Sequence, residues 1–291
     1  MSYIAFLLVI FSALMHASYN FAYKRSELKT LYLWSMFTVS VFLMTVIALF
    51  IKSSGFFNIK TVALASLSAV FFSLYQLSTG KAYSMASGDM SIVYPLSITA
   101  PLYIPFLAYI IIGERITITT FSGIVLALFG TYLIQLNVPL RELKFKKISL
   151  KEKHIRYALF AGFIYSFGAI VDKIGVGKHN FFVYTYWVIL IMFIYMTVNI
   201  LLRPGLKKKM FYCHINNPVL VLVGGVFMTL SFLSYRCAMQ LTQISAVAGA
   251  RQISSLFGVL MGIFLLKEPY GSLRFLATIL IIAGVVLIKI G

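Results

Sequence analysis

The residues of this chain that could do chemistry are few: seven acids, four histidines and two cysteines, against 25 Lys and Arg in 291 residues. Arg251 has the most unusual placement. In GARQISSLFG (249–258) it puts a permanent positive charge into a run that otherwise reads as membrane-buried helix. Counted from Ser245 at about 1.5 Å per residue, it lies about 9 Å in, too deep for an ordinary flank. A guanidinium offers a planar donor fork that matches a carboxylate or a phosphate. Ionisable groups within a membrane usually face a bundle interior or a water cavity and mark a substrate path. Substrate contact is therefore the expected role of Arg251. Bonds to backbone carbonyls and snorkelling to headgroups are the competing ones.

HASYN (16–20) sets His16 and Asn20 four residues apart, on one face of a helix. Such a pair could line a cavity or bond between helices, and a histidine can carry a proton near neutral pH. Gln76 and Thr79, Tyr165, and Tyr186 with Trp187 are weaker pocket candidates, because aromatic residues gather at membrane interfaces in any case. All seven acids, Glu27, Asp89, Glu114, Glu142, Glu152, Asp172 and Glu268, are expected at helix ends or in connections. A proton-coupled exporter of cationic drugs needs a carboxylate within the membrane, where proton and cation can compete for it. By these placements the chain offers none. Asp172 comes nearest, and a pairing with Lys173 or a helix-end role is expected of it. Cys213 and Cys237, and His16, His154, His179 and His214, lack metal-ligand spacing, and no phosphate loop or nucleophile triad is present. The sequence thus predicts no enzyme activity, no metal and no cofactor.

The elements that must position these residues follow from composition. The chain is 61% hydrophobic and only 11% charged, well outside the range of soluble domains. Apolar runs long enough to cross a hydrocarbon core occur at 3–23, 31–51, 62–83, 91–112, 118–136, 157–175, 181–202, 218–239, 244–266 and 273–290. The first has no small-residue cleavage site before Lys24 and Arg25, so it reads as a retained helix. The net charge of +18 would suit nucleic acid in a soluble protein. Here the cations cluster between apolar runs, as in RELKFKKISLKEKHIR (141–156) and LKKKM (206–210). Membrane topology and anionic lipid account for that, and no nucleic-acid partner is expected.

The polar connection at 137–156 divides the runs five and five, and the division is a repeat. FSGIVLALFGTYLI (121–134) aligns without a gap on FLATILIIAGVVLI (275–288), placing Gly130 on Gly284. At the same offset Glu114 falls on Glu268, and Ser91-Ile92-Val93 on Ser245-Ala246-Val247. Tyr94 and Pro95 then occupy the stretch matching Arg251's surroundings, and a proline there frees a backbone carbonyl. Tyr94 joins the candidate substrate set and Pro95 the structural one. Glu114 and Glu268, closing equivalent helices, are expected to bind backbone amides of the following helix, with gates or proton sites as the competing reading. Five helices per copy make the second copy cross in the opposite sense, the construction of secondary transporters with a midplane site. The expectation is an all-α polytopic membrane protein of ten transmembrane helices in two inverted five-helix repeats, 1–136 and 157–291, joined by the basic loop 137–156. By the positive-inside rule the connections after odd-numbered helices are cytoplasmic, which puts both termini outside.

HASYNFAYKRS, SIVYPLSITAPLYIPFLAYIIIGERIT and ISAVAGARQISSLFGVLMGIFLLKEPYG resemble the EamA family of the drug/metabolite transporter superfamily over essentially the whole chain. The resemblance implies ten helices with cytoplasmic termini, opposite to the charge rule, and a cavity lined mainly by the third, fourth, eighth and ninth helices. It implies export of amino acids or other small metabolites by a multi-pass protein of a bacterial inner membrane. The His-Ala-x-x-Asn pattern with an arginine in the ninth helix resembles a subset associated with phosphonate utilisation, with His16, Asn20 and Arg251 as its polar set. One departure is that IKSSGFFNIK, after the second helix, has only Lys52 and Lys60 where the family commonly has a basic cluster. The expected partners are the bilayer and a small anionic or zwitterionic substrate. Proton or ion coupling, and the choice between monomer and homodimer through faces such as Gly224-Gly225, stay open. The alternatives are a multidrug exporter, a lipid-linked phosphate flippase and a non-transporting scaffold subunit.

Overall fold

The structure is a computed structural model that describes residues 1–26, 28–51, 56–83, 85, 96–136, 150–266 and 272–291. Its helices are α1 (Tyr3–Arg25), α2 (Lys29–Phe50), α3 (Ile59–Tyr83), α4 (Ala100–Ile112) and α5 (Ile118–Leu136). There follow α6 (Lys153–Lys178), α7 (Phe181–Leu201), the short α8 (Pro204–Lys207) and α9 (Tyr212–Asn216), and α10 (Pro218–Leu241). The chain ends with α11 (Ile244–Ala250), a 3-10 turn (Arg251–Ile253), α12 (Ser254–Leu266) and α13 (Ser272–Ile290). No strand occurs among the described residues. Local chemistry sets several boundaries. The Ser2 hydroxyl accepts from the Ala5 amide to start α1, and the Asn180 side chain accepts from Phe182 and Val183 to start α7. Pro218 opens α10 where its missing N–H costs nothing.

Among the described residues, seven stretches are long and apolar enough to cross a membrane: Tyr3–Tyr23, Lys29–Phe50, Ile59–Ala82, Lys153–Lys178, Phe181–Leu201, Pro218–Leu241 and Ile244–Met261. Three further apolar helices, Ala100–Ile112, Ile118–Leu133 and Phe275–Ile290, are shorter. Large apolar side chains cover the outside, among them Phe42, Phe106, Ile110 and Phe264, which a hydrocarbon solvent permits and water would not.

The most extensive pairings are α5 with α13, α3 with α6 and α1 with α10. Each joins the N-terminal half of the chain to the C-terminal half. A Cβ at Gly123 would meet the Gly284 carbonyl at 2.6 Å, and one at Gly130 the Ala277 carbonyl at 2.7 Å. Partner numbers fall as residue numbers rise, so α5 and α13 run antiparallel, and the glycines let their backbones touch. This pair packs against α4 and the α11–α12 segment, while α1, α2, α10 and the α11–α12 segment form one bundle and α3, α4, α6 and α7 form another.

Three expectations change. The run at 244–266 is not one helix, because it breaks at Arg251. The sixth helix starts at Lys153 rather than 157 and continues to Lys178, carrying Asp172 well inside. Gly224 and Gly225 do not offer an outer face: Cβ atoms there would meet the Tyr32 hydroxyl at 2.6 Å and Val39 Cβ at 2.5 Å, so their smallness serves contact between α10 and α2.

Candidate functional site

Arg251 opens the 3-10 turn between α11 and α12. Gly249 allows the approach, since a Cβ there would meet Ile124 Cγ1 of α5 at 2.6 Å. The Arg251 side chain crosses to the α1–α10 pair. Its Nη2 lies 3.1 Å from Ser231 Oγ and 3.2 Å from His16 Nδ1. A guanidinium only donates, so Nδ1 is the acceptor, and His16 is the neutral tautomer with its proton on Nε2. The Ser231 hydroxyl in turn donates to the Ser12 carbonyl (3.0 Å), while Ser12 donates to the Ser231 carbonyl (2.8 Å), a reciprocal tie between α1 and α10. The guanidinium carbon sits 3.9 Å from the centre of the buried Tyr235 ring. Arg251 Nε is buried without a hydrogen-bond partner among the described residues. Within that set, all the partners of this cation are neutral.

A second charged cluster lies nearby, at residues that the sequence reading did not assign to the interior. Asp172 on α6 is 1% exposed, and its Oδ2 is 2.7 Å from Nη2 of Arg236 on α10, itself 4% exposed. Asp172 Oδ1 accepts from Ser68 on α3 (2.6 Å) and Tyr184 on α7 (2.9 Å). The expectation that no carboxylate lies inside the bundle is therefore overturned, as is the pairing of Asp172 with Lys173. Lys173 instead reaches toward the end of α10 and donates to the carbonyls of Met239 (2.5 Å) and Thr242 (2.6 Å). The physical reason is helix rotation: successive residues on α6 face about 100° apart, so Asp172 and Lys173 diverge to different groups along α10. Arg236 was missed because it lies five residues from the end of α10, where a cation reads as an interfacial flank.

Glu114 does bind backbone amides, but not those of the following helix. Gly113 ends α4 in the left-handed region at φ 69, and the Glu114 amide closes onto the Ala108 carbonyl at 3.1 Å. That turn sends the carboxylate across to α11, where it accepts from the Ile244 and Ser245 amides (3.0 Å each) and from the Ser245 hydroxyl (2.8 Å).

Of the other predicted residues, Tyr165 lies against Phe72 and Tyr75 of α3 at ring separations of 5.1 and 5.2 Å. Asn20 is exposed, and its amide returns to the His16 carbonyl at 2.8 Å, so the pair is not joined through side chains at Arg251. Gln76 is exposed on α3, and Thr79 Oγ1 is buried without a partner among the described residues. Trp187 donates to the Phe56 carbonyl at 2.7 Å and serves packing. Tyr94, Pro95 and Glu268 lie outside the described residues. Among those described, no group of three or more His, Cys, Asp or Glu could hold a metal.

The model of the EamA-like transporter family matches residues 3–136 and 153–290. No curated protein matches the chain. A solved crystal structure shares the fold, with a TM-score of 0.76 over 98% of this chain and 96% of that one, at 14% identity.

Proposed function

The chain belongs to the EamA-like transporter family, and from that premise we propose that it is a secondary exporter of a small anionic or zwitterionic metabolite, such as an amino acid or a phosphonate-type compound. It spans a bacterial inner membrane with ten helices, arranged as inverted repeats at 1–136 and 157–291 with 137–156 between them. The antiparallel contact of α5 with α13 supports the inversion. Alternating access moves the two bundles against each other around a site at Arg251, near His16 and Tyr165.

One observation carries the substrate class: Arg251 is a cation inside the bundle whose partners among the described residues are all neutral. A charge in that setting is costly unless compensated. An anionic group of the substrate supplies the compensation, and the unused donor at Nε gives it a place to bind. The multidrug alternative is less well supported, because the buried carboxylate that a cationic drug would need, Asp172, is already neutralised by Arg236.

A lipid-linked phosphate is a second reading, and one observation favours it. An apolar furrow of about 330 Å³ runs between α1 and α12, lined by Leu14, Phe257, Leu260, Met261 and Phe264. These lining residues are all apolar, so a headgroup would have to reach Arg251. Thermal-shift screening of the purified protein against amino acids, phosphonates, lipid phosphates and organic cations tests these readings. A ligand that binds the native state raises Tm by mass action. The expected hit is a soluble anion or zwitterion that stabilises the wild type and not Arg251→Ala. Stabilisation by cations alone would overturn the reading.

A further inference from the structure

Among the described residues the two bundles meet in more than one place: α2 meets α7, where Trp34 Nε1 donates to Thr197 Oγ1 at 2.9 Å, and α4 and α6 meet the α10–α11 segment. The bonds that side chains of one bundle make to the backbone of the other, between α4 or α6 and the α10–α11 segment, all gather at one end among the described residues. It is the end where the Lys289 ammonium donates to the Met1 carbonyl at 3.0 Å and Thr117 donates to the Gly291 carbonyl at 3.3 Å. Lys173 grips the last carbonyls of α10. Glu114 grips the first amides of α11. Gln243, in the turn between them, donates to the Arg115 carbonyl at 2.6 Å, and Gln240 donates to the Val176 carbonyl at 3.0 Å. We propose that Glu114 and Lys173 form the gate that closes this end of the transport path, holding the α10–α11 turn from both sides. The inference rests on the transport reading above.

The chemistry suits a gate better than a permanent joint. A helix end leaves unpaired amides or carbonyls that need partners. Here the whole of α11, from Ile244 to Ala250, is buried, so water cannot supply those partners while the end is closed. Glu114 and Lys173 supply them instead. When the turn swings outward, water replaces both side chains, and no hydrogen-bonded turn of helix has to break. Apart from the bond between the Ser245 hydroxyl and Glu114, the clamp joins side chains to backbone, so release needs only rotamer changes and a small displacement. Arg236 lies about one turn before Met239, and its ion pair with Asp172 uses neither clamp side chain.

Solvent access behind the clamp tests the proposal. In a background carrying Cys213→Ser and Cys237→Ser, Ala246→Cys places a reporter beside the clamp, at a position only 4% exposed. In detergent solution a polyethylene-glycol maleimide should label it at least tenfold faster when Glu114→Gln and Lys173→Met are added. Equal rates in a folded protein would overturn the gate. If the double variant does not fold, Lys173→Met alone, which leaves the Glu114 bonds intact, is compared in the same way.

A second arm uses Arg115→Cys with Gln243→Cys in the same background, without the reporter. Oxidation should reduce substrate flux in proteoliposomes at least tenfold, and reduction should restore it. Undiminished flux through the oxidised protein would overturn the gate. If the reduced protein moves no anion at all, it is the transport reading that fails, and the labelling comparison still decides the gate.

Discussion

Arg236 and Arg251 are both cations inside the bundle, and Tyr235 lies next to the first in sequence and beneath the second in space. They differ in what answers their charge. Arg236 ends on the Asp172 carboxylate, which Ser68 and Tyr184 complete. The cluster draws on α3, α6, α7 and α10 and so ties both bundles together. Arg251 ends on a serine hydroxyl, a neutral imidazole and an aromatic face. Removing charges from water is expensive in both places. A chain that provides one arginine with an internal anion and leaves the other without one among the described residues supports the proposal that Arg236 holds the fold and Arg251 a ligand.

The largest effect should come from breaking the compensated pair. Asp172→Asn leaves Arg236 buried without its counter-charge, and stability should fall by about 3–5 kcal/mol. A drop in Tm measured in detergent checks this. Adding Arg236→Met removes the stranded charge and should restore most of the loss. If Asp172→Asn alone leaves Tm unchanged, an internal counter-charge is not what separates the two arginines.

Arg251→Ala should do the reverse. Tm without ligand should change little, because no internal anion is stranded. Affinity for the transported anion should weaken by about 2–5 kcal/mol, the range for truncating one member of a buried charge pair. That is roughly thirtyfold or more, and is read from ligand-dependent thermal shifts and from flux. Arg251→Lys keeps the charge but loses the planar fork, so it should fall between wild type and alanine. Normal flux in Arg251→Ala would remove the basis of the substrate assignment.

The two arginines also differ in how visible they are in the sequence. Arg251 stands alone in a long apolar run, and its depth and isolation are properties of the residue order itself. Arg236 and Asp172 lie five and six residues from the ends of their helices, where a charge ordinarily faces headgroups. Their burial depends on which helices meet, and no local period encodes that. His16 and Asn20 show a related ambiguity. A spacing of four puts two side chains on one face, but it equally lets an asparagine bond back to the carbonyl one turn earlier, which Asn20 does. The repeat was legible because the glycines that align Gly130 on Gly284 are the ones that bring α5 and α13 into contact. Glu114's role as an amide acceptor was legible too. Its partner helix was not, since the αL turn at Gly113 redirects it.

The smallest effect concerns Tyr235, the side chain between the two cations. Its ring face lies against Arg251 at 3.9 Å, and burial leaves little water to compete with that contact. A cation–π contact of this kind is worth about 0.5–2 kcal/mol. Tyr235→Leu removes the ring and keeps an apolar side chain, so the guanidinium is still present but less firmly oriented. KM for the anion should rise a few-fold to roughly thirtyfold, while Tm should move much less than in Asp172→Asn, because no buried charge is stranded. Tyr235→Phe keeps the ring face and should behave nearly as wild type. If the phenylalanine variant proves as impaired as the leucine one, the hydroxyl rather than the ring positions Arg251. If both leave KM unchanged, Ser231 and His16 orient the guanidinium without it, and the ring contact belongs to packing rather than to the substrate site.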